Sequence, residues 1–172
     1  MTAYKKVFEI VGDYYSVRTK MSSVCARIAA YGPLARGLNF LPARAVHAAV
    51  KGVTGPELAP GEAAPYADDA MDFAYIKDTA EALAGLQLAP VLNHSIYNIG
   101  GGKSLSNREV ADAVQKAVPG AKIELQPGRS SQPQYPALDI SRLKEDIGWT
   151  PRYTIDSGIA EYVAWLKAGN PQ

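Results

Sequence analysis

Gly100-Gly101-Gly102-Lys103-Ser104 is the one stretch whose residue types could wrap a phosphate. A P-loop needs a further glycine five places before its Gly-Lys pair, so that successive backbone N–H groups close around the anion. That place holds Tyr97. A dinucleotide fingerprint starting at Gly100 needs glycine or alanine where Leu105 stands, and this test fails too. The run therefore reads as a flexible strand-to-helix turn. One functional option survives, an anion at the open amine end of the helix after Ser106. His47 and His94 have no second histidine, cysteine or paired carboxylate at ligand spacing, so no metal site is expected and neither is a catalytic candidate. Asp68-Asp69 with Asp72 is either a carboxylate cluster or a solvated acidic loop. Tyr14-Tyr15 suits an aromatic interface or core packing. Cys25, in an apolar run, is expected to be a buried, inert thiol.

The elements that position these residues follow from periodicity. Thr2 to Lys20 has Val7, Ile10, Val11 and Tyr14 at helical spacing. Ser23 to Ile28 reads as a buried strand before the Gly32-Pro33 turn, and Leu41 to Val50 as a helix stopped by Gly52. Gly55 to Asp69 is a loop, and Asp72 to Ile76 a brief strand or turn. Asp78 is expected to cap a helix running to Leu88 and stopped by Pro90. Ser95 to Ile99 is a second strand. Ser106-Asn107-Arg108-Glu109 is a capping box opening a helix with Val110, Val114, Ala117 and Val118 on its apolar stripe. Ala121 to Leu125 reads as a third strand, and Asp139 or Ser141 caps a short helix through Ile147. A last helix, Asp156 to Lys167, buries Ile159, Tyr162, Val163 and Leu166. Strands alternating with helices make an α/β chain, with parallel pairing between the first two strands. Three strands are fewer than the ~5–6 of an average sheet, so the chain reads as the edge of a larger one.

Bulk properties narrow the function classes. The 172 residues carry a net charge of +1, which gives no field to draw nucleic acid or an anionic membrane. They are 47% apolar and 20% charged, ordinary for a globular protein. No stretch approaches the ~18 apolar residues of a membrane span, and no signal-peptide pattern opens the chain. One cysteine allows no internal disulfide and fits a reducing compartment. A cytoplasmic location is expected.

Read in order, a further set of stretches resembles the carboxy-terminal part of an extended short-chain dehydrogenase/reductase of the NAD-dependent epimerase/dehydratase kind. Lys5 with Glu9 resembles the Lys-x-x-x-Glu that follows the family's Tyr-x-x-x-Lys start. Arg27 to Tyr31-Gly32-Pro33, Asn39-Phe40-Leu41-Pro42, and Asp72-Phe73-Ala74-Tyr75-Ile76-Lys77-Asp78 are similar to later family segments. So are Tyr97-Asn98-Ile99-Gly100, Ser104, Ser106 with Glu109, Pro127-Gly128-Arg129, Asp139-Ile140-Ser141 and Gly148-Trp149-Thr150-Pro151. The likeness covers nearly the whole chain as one domain, 1–172. It implies the last elements of a Rossmann-like α/β fold, with few parallel strands and a small helical and strand substrate lobe.

The resemblance also implies roles. Lys5 matches the lysine that lowers the pKa of a tyrosine one helical turn earlier and touches the cofactor ribose. Met1 stands at that tyrosine's place, so Lys5 is expected to be orphaned. The family's cofactor is NAD, held by a glycine-rich half upstream. Without that half this chain is expected to bind no NAD and to be inactive alone. Asn39 and Arg129 match substrate-binding positions, where an arginine's forked donors clamp the diphosphate of a nucleotide sugar. The family's arginine before Asp-Phe is Met71 here. The first helix packs in a four-helix bundle in the family. Its apolar stripe, worth ~1.5–3 kcal/mol per large side chain buried, implies a homo-oligomer. Two rivals stand beside the substrate-lobe reading: a non-catalytic nucleotide-sugar-binding module, and an interaction protein that docks on a full-length relative.

Overall fold

The computed structural model describes residues 2–35, 38, 40–58 and 60–170, with the side chains of Thr2 and Ala3 excepted. In chain order the elements are α1 (Thr2–Arg18), β1 (Cys25–Ile28), β2 (Ala30–Tyr31), α2 (Leu41–Lys51), α3 (Gly55–Leu58), β3 (Ala70–Asp72) and β4 (Ala74–Tyr75). They continue as α4 (Ile76–Leu88), β5 (Ile96–Ile99), β6 (Ser104–Ser106), α5 (Asn107–Ala117), α6 (Ser141–Ile147) and α7 (Ile155–Lys167).

β1 and β5 pair in parallel, Cys25 opposite Ile96 and Ile28 opposite Ile99, as the sequence implies. At Ala29 the strand changes partner: Ala29 N–H donates to the Ile99 carbonyl at 3.2 Å, and Ala29 C=O accepts from Ala74 at 2.8 Å. β2 then runs parallel to β4. β3 and β6 form an antiparallel pair that the sequence does not announce. β1 is not the buried strand expected. Cys25 and Ala26 are half-buried, Arg27 and Ile28 exposed, because β5 is its only strand neighbour among the described residues.

Two cores form. Val46 of α2, Val110 and Val114 of α5, and Ile159 and Tyr162 of α7 close the larger one around Tyr31, Phe73 and Tyr75. The alanines at 43, 45, 48 and 49 bring α2 close to its neighbours, and Gly52 ends the helix at φ 71°. Leu86 of α4, Leu143 of α6 and Trp149 pack on Tyr97 and Ile99 of β5 in the smaller core. The two helix-opening boxes are both formed, Ser106 with Glu109 and Thr154 with Ser157.

Several sequence expectations yield to tertiary context. Residues 121–125 pair with no strand; only Gln126 bridges to Tyr66. Asp78 is not a cap. It lies inside the first turn of α4, buried, where its carboxylate accepts from Arg152 N at 3.1 Å and Tyr153 N at 3.0 Å. Leu166 is half-buried, and the expected loop after Gly55 opens with the one-turn α3. No helix of the described residues is long and apolar enough to cross a membrane.

Candidate functional site

The first turn of α2, the segment leading into β3, the amino end of α5 and residues 132–135 enclose a groove of about 300 Å³. That is the lower end of the range for small-molecule sites. Phe40 meets Phe73 edge-on at 6.5 Å between centroids, and Phe73 rests on the buried ring of Tyr31. Met71 and Tyr135 complete the apolar walls.

The polar rim is tied in place from both ends. Asp69 Oδ1 accepts from Ser130 N and from Gln134 Nε2, each at 3.0 Å. Gln134 Oε1 in turn accepts from Ala70 N at 3.2 Å. Asn107 donates its side-chain amide to Tyr66 O at 2.7 Å. Hydrogen bonding from Ser130 foremost, then from Gln134, with the Arg129 charge, holds the Asp69 carboxyl below the usual range. Arg44, on α2, is buried and ion-paired with Glu62. Gln134 and Arg44 were not singled out by their sequence context, and Asp69 was read only as part of an acidic cluster or loop. Asp69 sits in an acidic loop and Gln134 between prolines, and only the tertiary hydrogen bonds unite them.

Arg129 is exposed beside this rim, its Nε donating to Asp68 O at 3.2 Å. The glycine before it adopts φ 76°, and Gly128 O accepts from Asp68 N at 2.9 Å. Arg129 is not among the side chains that line the groove, but its charge reaches Asp69 on the rim. Asn39 lies outside the described residues. Lys5 is exposed on α1 and makes no ion pair among the described residues. Its motif partner Glu9 is buried, gripped by Arg27 through Nε at 2.7 Å and Nη2 at 2.8 Å. Thus the structure joins Glu9 to Arg27, two residues of separate motifs, and sets Arg129 beside the groove, with no bond linking Lys5 to either.

The anion option at the glycine run is closed. Asp72, read from sequence as part of a solvated or clustered acidic loop, is 2% exposed. Its carboxylate accepts from Gly101 N at 2.6 Å, Gly102 N at 3.1 Å and Leu138 N at 2.9 Å. A Cβ on Gly101 would lie 2.5 Å from Phe73 O, so only glycine allows this approach. The turn is pinned rather than flexible. The amine end of α5 is also occupied: Asn107 N donates to Asp69 O, Arg108 N to Ala67 O and Glu109 N to Ser106 Oγ. A phosphate would find those donors taken.

Other candidates are structural. His47 Nε2 lies 3.1 Å from Tyr162 Oη, and His94 donates its backbone N–H to Tyr97 Oη. No group of three His, Cys, Asp or Glu side chains suited to a metal occurs among the described residues. Cys25 is half-buried rather than buried, and partial desolvation pushes its thiol pKa up, away from the reactive thiolate. Tyr14 and Tyr15 touch edge-on at 5.5 Å and are both exposed, so they belong to the surface.

No family model matches the chain. Among curated proteins, a dTDP-glucose 4,6-dehydratase of Actinoplanes sp. is 31% identical over 99 residues, 56% of this chain and 31% of that protein. UDP-glucuronic acid decarboxylase 1 of Arabidopsis thaliana is 28% identical over 93 residues, 54% of this chain and 21% of that protein. The crystal structure of dTDP-glucose 4,6-dehydratase from Bacillus anthracis in complex with NAD superposes with a TM-score of 0.73 at 20% identity, over 93% of this chain and 49% of that one. The chain thus spans about half the length of that solved structure, and its matched stretch less than a third of the curated relatives. The Rossmann-like α/β class expected from the sequence is borne out.

Proposed function

We propose that this chain, a relative of the carboxy-terminal part of the extended short-chain dehydrogenases/reductases, is the substrate-binding part of an NAD-dependent nucleotide-sugar epimerase/dehydratase-like protein. The observation that carries the proposal is the groove itself: a ligand-sized, aromatic-walled cleft with tethered carboxamides on its rim, and nearby an exposed guanidinium, Arg129, whose charge reaches Asp69. Such an arrangement suits a sugar ring inside and a diphosphate outside, held by the forked donors of arginine. Asn39 belongs to the same ligand in this reading.

Residues 1–172 act as one cytoplasmic unit, whose described residues offer no cofactor cradle. The glycine turn that comes nearest to one spends its N–H groups on Asp72. NAD is therefore the family's cofactor rather than this chain's ligand, and Lys5, with no phenol one turn before it, contributes no proton transfer. Thermal stabilisation by UDP- or dTDP-sugars, with none by NAD, is the expected result. The reverse pattern would reject the proposal.

A second property rests on α1. Val7, Ile10, Val11 and Tyr14 are 44–60% exposed, an apolar face too large for a helix meant only for water. We infer a homo-oligomer formed through this helix. The same face suits the rival role of docking on a full-length relative, and co-elution with such a relative would favour that role.

A further inference from the structure

We infer that the groove takes the uncharged ring of a nucleotide sugar and disfavours a ring bearing a carboxylate, with Asp69 as the discriminating residue. The inference rests on the nucleotide-sugar reading above and goes on to name the ring. The relatives' names offer both ring chemistries, glucose and glucuronate.

Three features of the groove separate them. Its walls, Phe40, Met71 and Tyr135, offer aromatic and thioether faces that match the C–H faces of a pyranose and give no charge to a carboxylate. Its rim presents the Asn107 carboxamide, which donates one N–H to Tyr66 O and has a second N–H and an oxygen to exchange with neutral hydroxyls, beside Gln134, whose N–H groups are spent on Asp69 and Gln132 O. Its charges decide the matter. Arg44 is already neutralised by Glu62, which leaves Asp69 as the lining charge that no side-chain cation pairs directly. Asp69 is bonded by a backbone N–H and a carboxamide, with its carboxyl held in the ionised form. Arg129, whose charge reaches Asp69, is not among the residues that line the groove, and in this reading it serves the diphosphate rather than the ring. An anionic ring in the groove would meet a like charge in a partly desolvated space.

UDP-glucose and UDP-glucuronate differ only at the ring's sixth carbon, so calorimetric titration of the full chain with each isolates the effect. The wild type is expected to bind UDP-glucose about tenfold more tightly, the scale of one close like-charge contact near a protein surface. Asp69→Asn keeps the oxygen that accepts from Ser130 and Gln134 and removes the charge. It is expected to narrow the ratio to about threefold or less. Tyr135→Ala alters an exposed wall and is expected to weaken both UDP-sugars but not UDP. Equal affinities in the wild type, a ratio unchanged in Asp69→Asn, or indifference to Tyr135→Ala would overturn the inference and leave the nucleotide-sugar reading standing. If neither UDP-sugar binds, both fail together.

Discussion

Arg27 on β1 holds Glu9 on α1 in a two-pronged ion pair, 2.7 Å through Nε and 2.8 Å through Nη2, and this pair ties α1 to the sheet. Beside it Gly12 allows close approach, since a Cβ there would lie 2.6 Å from Ser23 Oγ. Apart from half-buried Ser16, the other described side chains of α1 are exposed.

The pair makes the docking of α1 acid-sensitive in a defined window. Arg27 first, then Lys6, lowers the Glu9 pKa from 4.5 to about 2. A folded value below the unfolded one means the stabilisation is complete above about pH 4.5 and is lost as pH falls toward 2. The protection of the α1 amides, taken relative to their intrinsic exchange rate at each pH, should therefore fall over that range and stay level between pH 5 and 8. In Glu9→Gln the acid step should vanish and α1 should be less protected at neutral pH.

Asp72 is the keystone between β3, the glycine turn and residue 138. Asp72→Ala would strand three backbone donors, at about 1–3 kcal/mol for each buried group left unsatisfied. A loss of at least about 3 kcal/mol in urea unfolding is expected. A loss under 1 kcal/mol would mean that water replaces the carboxylate readily.

Tyr31 carries a buried hydroxyl with no hydrogen-bond partner among the described residues, and desolvation raises its pKa far above the usual phenol value. Tyr31→Phe should leave thermal stability unchanged or raise it by up to about 1 kcal/mol, because an unsatisfied polar group is removed. Gly158→Ala should cost about 1–3 kcal/mol by overpacking, since the added methyl would overlap Tyr31 Oη and lie 3.0 Å from Tyr75 Cδ2. Combined with Tyr31→Phe, part of that cost should be recovered.

The exposed face of α1 gives a direct test of association. Val7→Glu with Val11→Glu should shift the protein from an oligomer to a monomer in light scattering at micromolar concentration, with its circular dichroism retained. A wild-type monomer would contradict assembly through α1.

Sequence reveals those parts of the fold whose causes are local. The capping box at Ser106, the left-handed stop at Gly52 and the β-rich run at Ser95 to Ile99 depend on neighbours within a few residues, and each forms where expected. β3 and β6, three residues each, are too short to show a period, and their pairing is set by Asp72 reaching across to the glycine turn. Residues 121–125 have strand composition but meet no strand edge. Asp78 resembles a cap until Arg152 and Tyr153 arrive from far along the chain. Family likeness pointed to Phe40, Met71 and Phe73 on the groove's walls and to Arg129 near its rim, without showing that they come together. Asp69, Gln134 and Arg44 emerge from contacts that no spacing encodes.

The most direct measurement is calorimetric titration of this polypeptide with UDP-glucose, dTDP-glucose and NAD, repeated for Arg129→Ala. Saturable binding of a nucleotide sugar, weakened at least about tenfold without the guanidinium, with no heat from NAD, is the expected outcome. Saturable NAD binding, or silence with both sugars, would contradict it.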